Sequence, residues 1–231
     1  MELRIALDHV RERVRNYGMT ATLQDFAFRA VNHAAFVQIQ KGMAVRLTDV
    51  RDARLFEAPG LDARFVAEDE LRALASHPEN QMSPEFLRSA IARGDRCYAL
   101  FDRGALTAYG WYADRPAPFD EHFTVFFDPA WSYMYKGYTL PAYRGRRLHA
   151  VAMCRALRSL SEQGKRGLTA CVASNNFASL QSIARMGYRI FGDVYLMRAA
   201  GRSLSYASRG CRPYGFRIEA ADSAVGARAS H

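Results

Sequence analysis

A chain of 231 residues, 49% apolar and 12% aromatic, holds enough hydrophobic side chain for a full core, which predicts one mixed α/β domain with an additional N-terminal element rather than a disordered chain. No run approaches the roughly 18 consecutive apolar residues of a membrane helix, and the early charges Glu2, Arg4, Asp8, Arg11 and Glu12 leave no signal-peptide core, so no membrane span and a cytoplasmic location are expected. The separated cysteines Cys97, Cys154, Cys171 and Cys211 form no Cys-x-x-Cys pair and have no nearby histidine, which argues for reduced thiols, no metal and no disulfide framework.

Leu3, Leu7, Val10 and Val14 recur at helical spacing and predict an amphipathic helix over 2–17, stopped by Gly18. A second helix is expected over 23–35, and the alternation in 36–47 predicts a hairpin turning at Lys41-Gly42. After a connector containing Pro59-Gly60 come a short strand at 64–66, a helix over 68–76, and a helix opened by Ser83-Pro84 and ended by Gly94. Strands at 97–102 and 106–112 flank a turn at Arg103-Gly104, and the proline-containing stretch 114–130 is expected to be a loop with an extra edge strand at 123–127. Then follow a strand at 133–140, a helix over 148–163, a strand at 168–173, a helix over 177–186 and a strand at 188–197. Strand, helix, strand, helix, strand predicts a sheet with partly parallel pairing and helices on its faces. The tail after Glu219, rich in Ala, Ser and Gly, is expected to be mobile. The expected divisions are an N-terminal helical and hairpin extension over 1–61, a main domain over 62–200, and a C-terminal strand and tail over 201–231.

The charge is uneven: residues 1–140 carry a net −2 and residues 141–231 a net +11. That asymmetry suits a polyanionic partner, such as the phosphates of coenzyme A, an acidic carrier protein, nucleic acid or a membrane surface. The chain has no recognisable helix-turn-helix, zinc finger or aromatic RNA motif, so nucleic acid is disfavoured. Arginine far outnumbers lysine, which occurs only at Lys41, Lys136 and Lys165. This usage fits bidentate phosphate recognition and is equally produced by codon bias.

The segment from Tyr133 to Tyr188 is the most informative. It contains Thr139-Leu140-Pro141-Ala142-Tyr143-Arg144-Gly145, then Arg146-Arg147-Leu148-His149 opening a helix, and Asn175-Asn176-Phe177-Ala178-Ser179 leading to Gly187-Tyr188. This arrangement resembles the acyl-CoA binding half of the GCN5-related N-acetyltransferases over about residues 62–198. The resemblance implies that family's α/β (α+β) fold, a mixed central sheet flanked by helices. It also implies that Tyr138, Thr139 and Leu140 present backbone amides to the pantetheine and the thioester carbonyl, one of them, assigned to Leu140, as oxyanion donor. Arg144, Gly145, Arg146, Arg147, Leu148 and His149 then align with a phosphate loop of pattern Arg or Gln, x, x, Gly, x, Gly or Ala, which holds the pyrophosphate through backbone amides and the helix dipole. Arg147 and His149 depart from that pattern, standing where glycine and a small residue are usual.

Asn176 and Ser179 would face the cofactor, Asn175 competing with Asn176 as the functional amide, with a helix cap as the alternative role for either. Gly187 would end the helix through positive φ. The tyrosine that commonly protonates the departing thiolate falls on Ile183, so Tyr135, Ser182, Cys171 or solvent must serve. Glu121, His122 and Asp128 are the candidate bases for the amine, with exposed loop charges as the alternative. The implied activity is transfer of an acetyl or other acyl group from coenzyme A to a small-molecule or peptide amine by direct attack in a ternary complex. Two further readings stay open: a longer acyl chain delivered by an acyl carrier protein, and a catalytically silent ligand-binding or regulatory module. Pairing through the C-terminal strands would make a homodimer.

Overall fold

The computed structural model describes residues 14–16, 18–20, 22–23, 36–57, 59–199 and 201–221. Most of the helix expected over 2–17, nearly all of that over 23–35, and the tail beyond residue 221 lie outside them. An eight-stranded mixed sheet forms the centre of the described chain. Its strands are β1 (Phe36–Val45), β2 (Leu61–Phe65), β3 (Arg96–Asp102), β4 (Ala105–Ala113), β7 (Ser132–Thr139), β8 (Leu168–Ala173), β9 (Arg189–Ala199) and β10 (Arg202–Ala207), in the order β10-β9-β1-β8-β7-β4-β3-β2. A second sheet has the order β11-β6-β5, from β5 (Ala117–Pro118), β6 (Phe123–Phe126) and β11 (Arg217–Ala220).

Local signals place the helices. In α1 (Glu68–Ala75) three acidic residues fill the first turn, complementing the helix dipole. In α2 (Pro84–Arg93) Ser83 accepts the Phe86 amide at 3.2 Å and Gly94 closes the helix at φ +78°, while Leu87 and Ala90 are buried. The longest, α3 (Leu148–Glu162), buries Leu148, Val151, Ala152, Leu157 and Leu160 against the sheet. Each such leucine adds about 1.5–3 kcal/mol. The shorter α4 (Phe177–Arg185) leans Leu180 and Ile183 on the same core. Thus α3 and α4 cover one face. The other face is shared by α1 and α2, packed over β3 and β4, and by the second sheet, packed over β7 and β9.

Two expectations are corrected. The hairpin expected at Lys41-Gly42 is one ten-residue strand, β1, lying between β8 and β9 and antiparallel to both. Gly42 sits at a register shift rather than a turn, and a Cβ there would fall 2.5 Å from the Phe191 ring, so the glycine serves packing. Lys41 beside it pairs with Asp193 at 2.8 Å. The segment at 123–127 is not an edge strand of the main sheet: β6 is the middle strand of the second one, held by β11 and β5.

Candidate active site

Strand β7 leaves β8 early. The two are parallel and pair only at Ser132↔Leu168 and Tyr133↔Thr169, although β7 runs on to Thr139 and β8 to Ala173. Between their C-terminal halves the sheet opens as a wedge, with the loop into α3 and the start of α4 at its mouth. Such openings at the carboxyl ends of parallel strands are where α/β sheets bind ligands.

The register of β7 on β4 decides which amides face the wedge. Leu140 donates its N–H to the Thr107 carbonyl at 2.9 Å, and the pairs Thr139↔Ala108, Tyr138↔Tyr109 and Gly137↔Gly110 follow. Antiparallel alternation then turns the Tyr138 amide toward β4 and the amides of Thr139 and Gly137 toward the wedge. Leu140, expected as oxyanion donor, has its N–H committed within the sheet, and Tyr138 packs its ring on Tyr109 at 5.7 Å. Of the three residues expected there, Thr139 alone offers a wedge-facing amide. Gly137 was missed, although a lone glycine inside a strand pattern is the usual mark of close approach.

The loop from Pro141 to Arg147 ends in two left-handed residues, Gly145 at φ +77° and Arg147 at φ +58°. Arg147, standing where glycine was expected, holds a left-handed backbone that glycine adopts at no steric cost, and its guanidinium reaches back to Asp52 at 3.2 Å. The Arg54 guanidinium, with that of Arg147, holds the Asp52 carboxyl below its usual range. No side chain caps α3, and its first turn has no acidic residue. Its leading amides, those of Leu148 and His149 included, therefore have no intrahelical acceptor and present a positive dipole end to the wedge. Leu148 contributes only backbone there, since its side chain is in the core. Arg144 donates Nε to the Thr139 carbonyl at 3.3 Å, and Arg146 stands exposed over the Tyr143 ring.

The left-handed backbone at residue 147 carries a measurable cost. Arg147→Gly is expected to be more stable than Arg147→Ala by about 1 kcal/mol, because a Cβ is disfavoured at that conformation. Both variants lose the Asp52 pair, so the difference in urea midpoints isolates the backbone.

His149 is not a phosphate ligand through its side chain. The half-buried ring is packed against Gly137, where a Cβ would lie 2.2 Å from Cε1 and 2.8 Å from Nδ1. Burial pushes its imidazole below the usual value. The room that a small residue at position 149 would leave is supplied instead by the strand glycine opposite.

At the other side of the mouth Asn176 caps α4, accepting the Ser179 amide on Oδ1 at 3.2 Å. The capping role thus occupies its carbonyl, and Ser179 is involved through its backbone. Gly187 has φ +97°, as expected for the helix end. Ile183 faces the core. Tyr135 donates its hydroxyl to Asp95 at 2.9 Å, and burial together with that carboxylate pushes its phenol up. Asp95, itself shifted upward by burial, is also held by Arg93 at 2.6 Å. Cys171 lies 3.3 Å from the Tyr133 hydroxyl, and burial pushes its thiol up to about 11.

Glu121 and His122 pair with each other at 3.1 Å in the turn before β6, where the His122 amide also donates to Asp120 Oδ1 at 2.8 Å. Their described polar contacts, with each other, Asp120 and Ala221, do not reach β7. Asp128 is spent on the turn before β7, accepting the Ala130 amide at 2.8 Å. Among the described residues no group of three or more His, Cys, Asp or Glu converges as metal ligands, and no helix is long and apolar enough to cross a membrane.

No family model and no curated protein sequence matches the chain. Solved structures do. A GCN5-related N-acetyltransferase-like protein from Streptococcus suis superposes with a TM-score of 0.50 at 8% identity, over 77% of this chain and 67% of that one. A GNAT-family acetyltransferase from Colwellia psychrerythraea gives 0.50 at 14% identity, over 73% and 59%. A GCN5-related N-acetyltransferase from Kribbella flavida gives 0.46 at 16% identity, over 76% and 64%. The matched region is therefore 59–67% of those proteins' own length. At such identities the likeness is one of architecture: the chain has the fold of the GCN5-related N-acetyltransferases, the family its motifs resemble.

Proposed function

We propose that the protein transfers an acyl group, acetyl by default, from coenzyme A to an amine. The observation that carries this reading is the wedge between β7 and β8, which joins two wedge-facing amides to an uncapped helix start. Arg144, Arg146 and the leading amides of α3 hold the phosphates, while the amides of Gly137 and Thr139 line the path of the pantetheine arm. A neutral amine attacks the thioester carbon directly. The N–C bond forms as the carbonyl electron pair moves onto oxygen, nitrogen releases its proton to solvent, and re-formation of the carbonyl breaks the C–S bond and expels the sulfur as thiolate. The Thr139 amide donates to the developing oxyanion. No protein acid is assigned to the thiolate, since Ile183 carries no proton to give and the Tyr135 hydroxyl is engaged by Asp95.

Calorimetry with acetyl-CoA, longer acyl-CoAs and free coenzyme A tests the reading. Micromolar binding is expected, weakened about tenfold by Arg144→Ala and more by Arg146→Glu, since each charge-assisted phosphate contact is worth about 1.5–3 kcal/mol. Absence of binding to all three ligands would overturn it. Binding instead to an acylated carrier protein, lost at moderate salt, would shift the donor to that class.

A further inference from the structure

On the α2 side of β7 a groove of about 530 Å³ runs between α2 and the hairpin of β5 and β6, within the range of roughly 300–1,000 Å³ typical of small-molecule sites. Phe86, Phe119 and Tyr135 give it aromatic walls. Lys136, on β7, is its distinguishing group. The ammonium donates to the Gln81 carbonyl at 2.7 Å and lies 4.0 Å from the centre of the Phe86 ring. Its remaining N–H bonds are thereby left for a ligand.

The other two lysines of the chain are neutralised, Lys41 by Asp193 at 2.8 Å and Lys165 by Asp114 at 3.2 Å. Among the described residues Lys136 has no carboxylate partner. Arg93, at one end of the groove, is balanced by Asp95. Glu85, the one acid lining it, is exposed, so water and salt screen its charge more than that of the half-buried lysine. The groove thus presents one uncompensated cation among aromatic rings.

We propose that this groove seats the acyl acceptor, and that the acceptor is an amine on an apolar body of aromatic size carrying a carboxylate that pairs with Lys136. The inference rests on the acyltransferase reading. Its geometry comes from β7 itself: Lys136 lines the groove, and the next residue, Gly137, turns its amide into the wedge. Lys136 and Gly137 are consecutive on the strand, with Cα atoms about 3.8 Å apart, so one stretch of β7 borders both the groove and the wedge.

The test uses the full-length protein with acetyl-CoA as donor and phenylalanine or phenylalaninamide as acceptor. Lys136→Gln is expected to lower the ratio of kcat/KM for the acid over the amide by about tenfold or more, through KM, as loss of a charged hydrogen bond predicts. Comparing the ratio in the two proteins cancels the difference in amine basicity, and Lys136→Arg should keep most of the preference. An unchanged ratio overturns the inference. Calorimetry with N-acetylphenylalanine alone supplies a readout that needs no donor: binding to wild type, lost in Lys136→Gln, is expected. Acetyl-CoA binding without N-acetylphenylalanine binding sinks the acceptor class and leaves acyl transfer standing. The reverse pattern sinks acyl transfer and leaves the groove's ligand class standing.

Discussion

Thr139→Pro is expected to lower kcat by about 10²–10³-fold, the usual cost of removing one oxyanion donor, and to weaken acetyl-CoA binding by less, while thermal stability changes little. Proline removes no ladder hydrogen bond at this position, although it also fixes φ near about −65°. Thr139 stands opposite Ala108 in a pair that exchanges no ladder bonds, so its amide faces the wedge, and strands tolerate proline where the N–H points out of the ladder. Its carbonyl, which takes Arg144 Nε, remains. Leu140→Pro is the control. Its backbone angles, φ −58° and ψ 142°, already suit proline, but its N–H is bonded to Thr107 in the sheet. That variant should lose about 1–3 kcal/mol of stability from the unsatisfied carbonyl, with a much smaller fall in kcat for the folded fraction. Single-turnover acyl transfer separates the two. An unchanged rate in Thr139→Pro would assign the oxyanion to Gly137, the other wedge-facing amide.

The contrast between residues 139 and 140 shows where sequence reasoning stops. That a strand would run into Pro141 and release a loop before a helix was legible, because Pro141, Gly145 and the apolar spacing of α3 act locally. The phase of the amides was not, since it depends on which residues of β4 lie opposite, and one step of register exchanges every partner. Long-range pairing explains the other corrections as well. Gly42 carries the local signature of a turn, yet its reason is the ring of Phe191, about 150 residues away in the chain. Residues 123–127 have a strand pattern, but the partner that makes β6 central is β11 near the described end of the chain. Arg147 was recognised as standing in a glycine position. Its left-handed backbone and its pairing with Asp52 needed the structure, because Asp52 precedes it by 95 residues and carries no motif. Gly187 was legible once the resemblance placed it at the end of a helix, since a glycine after a helical run most often marks a left-handed end.

Gly137→Ala should cost about 2–3 kcal/mol, at the upper end of overpacking penalties, and a second change, His149→Ala, should recover most of it. The added Cβ would stand 2.2 Å from His149 Cε1 and 3.1 Å from Met134 Cε, so the imidazole must leave its place. For a domain of this size that cost corresponds to a fall in Tm of roughly 4–12 °C. His149→Ala alone loses ring packing, but the pair of changes leaves a methyl where the ring stood, and the coupling in a double-mutant cycle should exceed about 1 kcal/mol. Additive effects would mean that the ring does not rest on Gly137. The same packing has a pH signature. Burial places the imidazole below its ordinary value of 6.5 in the folded protein, so only the neutral ring is comfortable there. Its contribution to stability is then whole above about pH 6.5 and is lost as pH falls through the lower folded value, because the unfolded chain takes up the proton first. Wild type should therefore lose stability relative to His149→Gln on acidification, and equal slopes for the two proteins would contradict the buried ring. The consequence reaches the candidate site, since the ring that titrates lies against the strand residue whose amide lines the wedge. Protonation on acidification should loosen β7 at Gly137 and weaken acyl-CoA binding in wild type more than in His149→Gln.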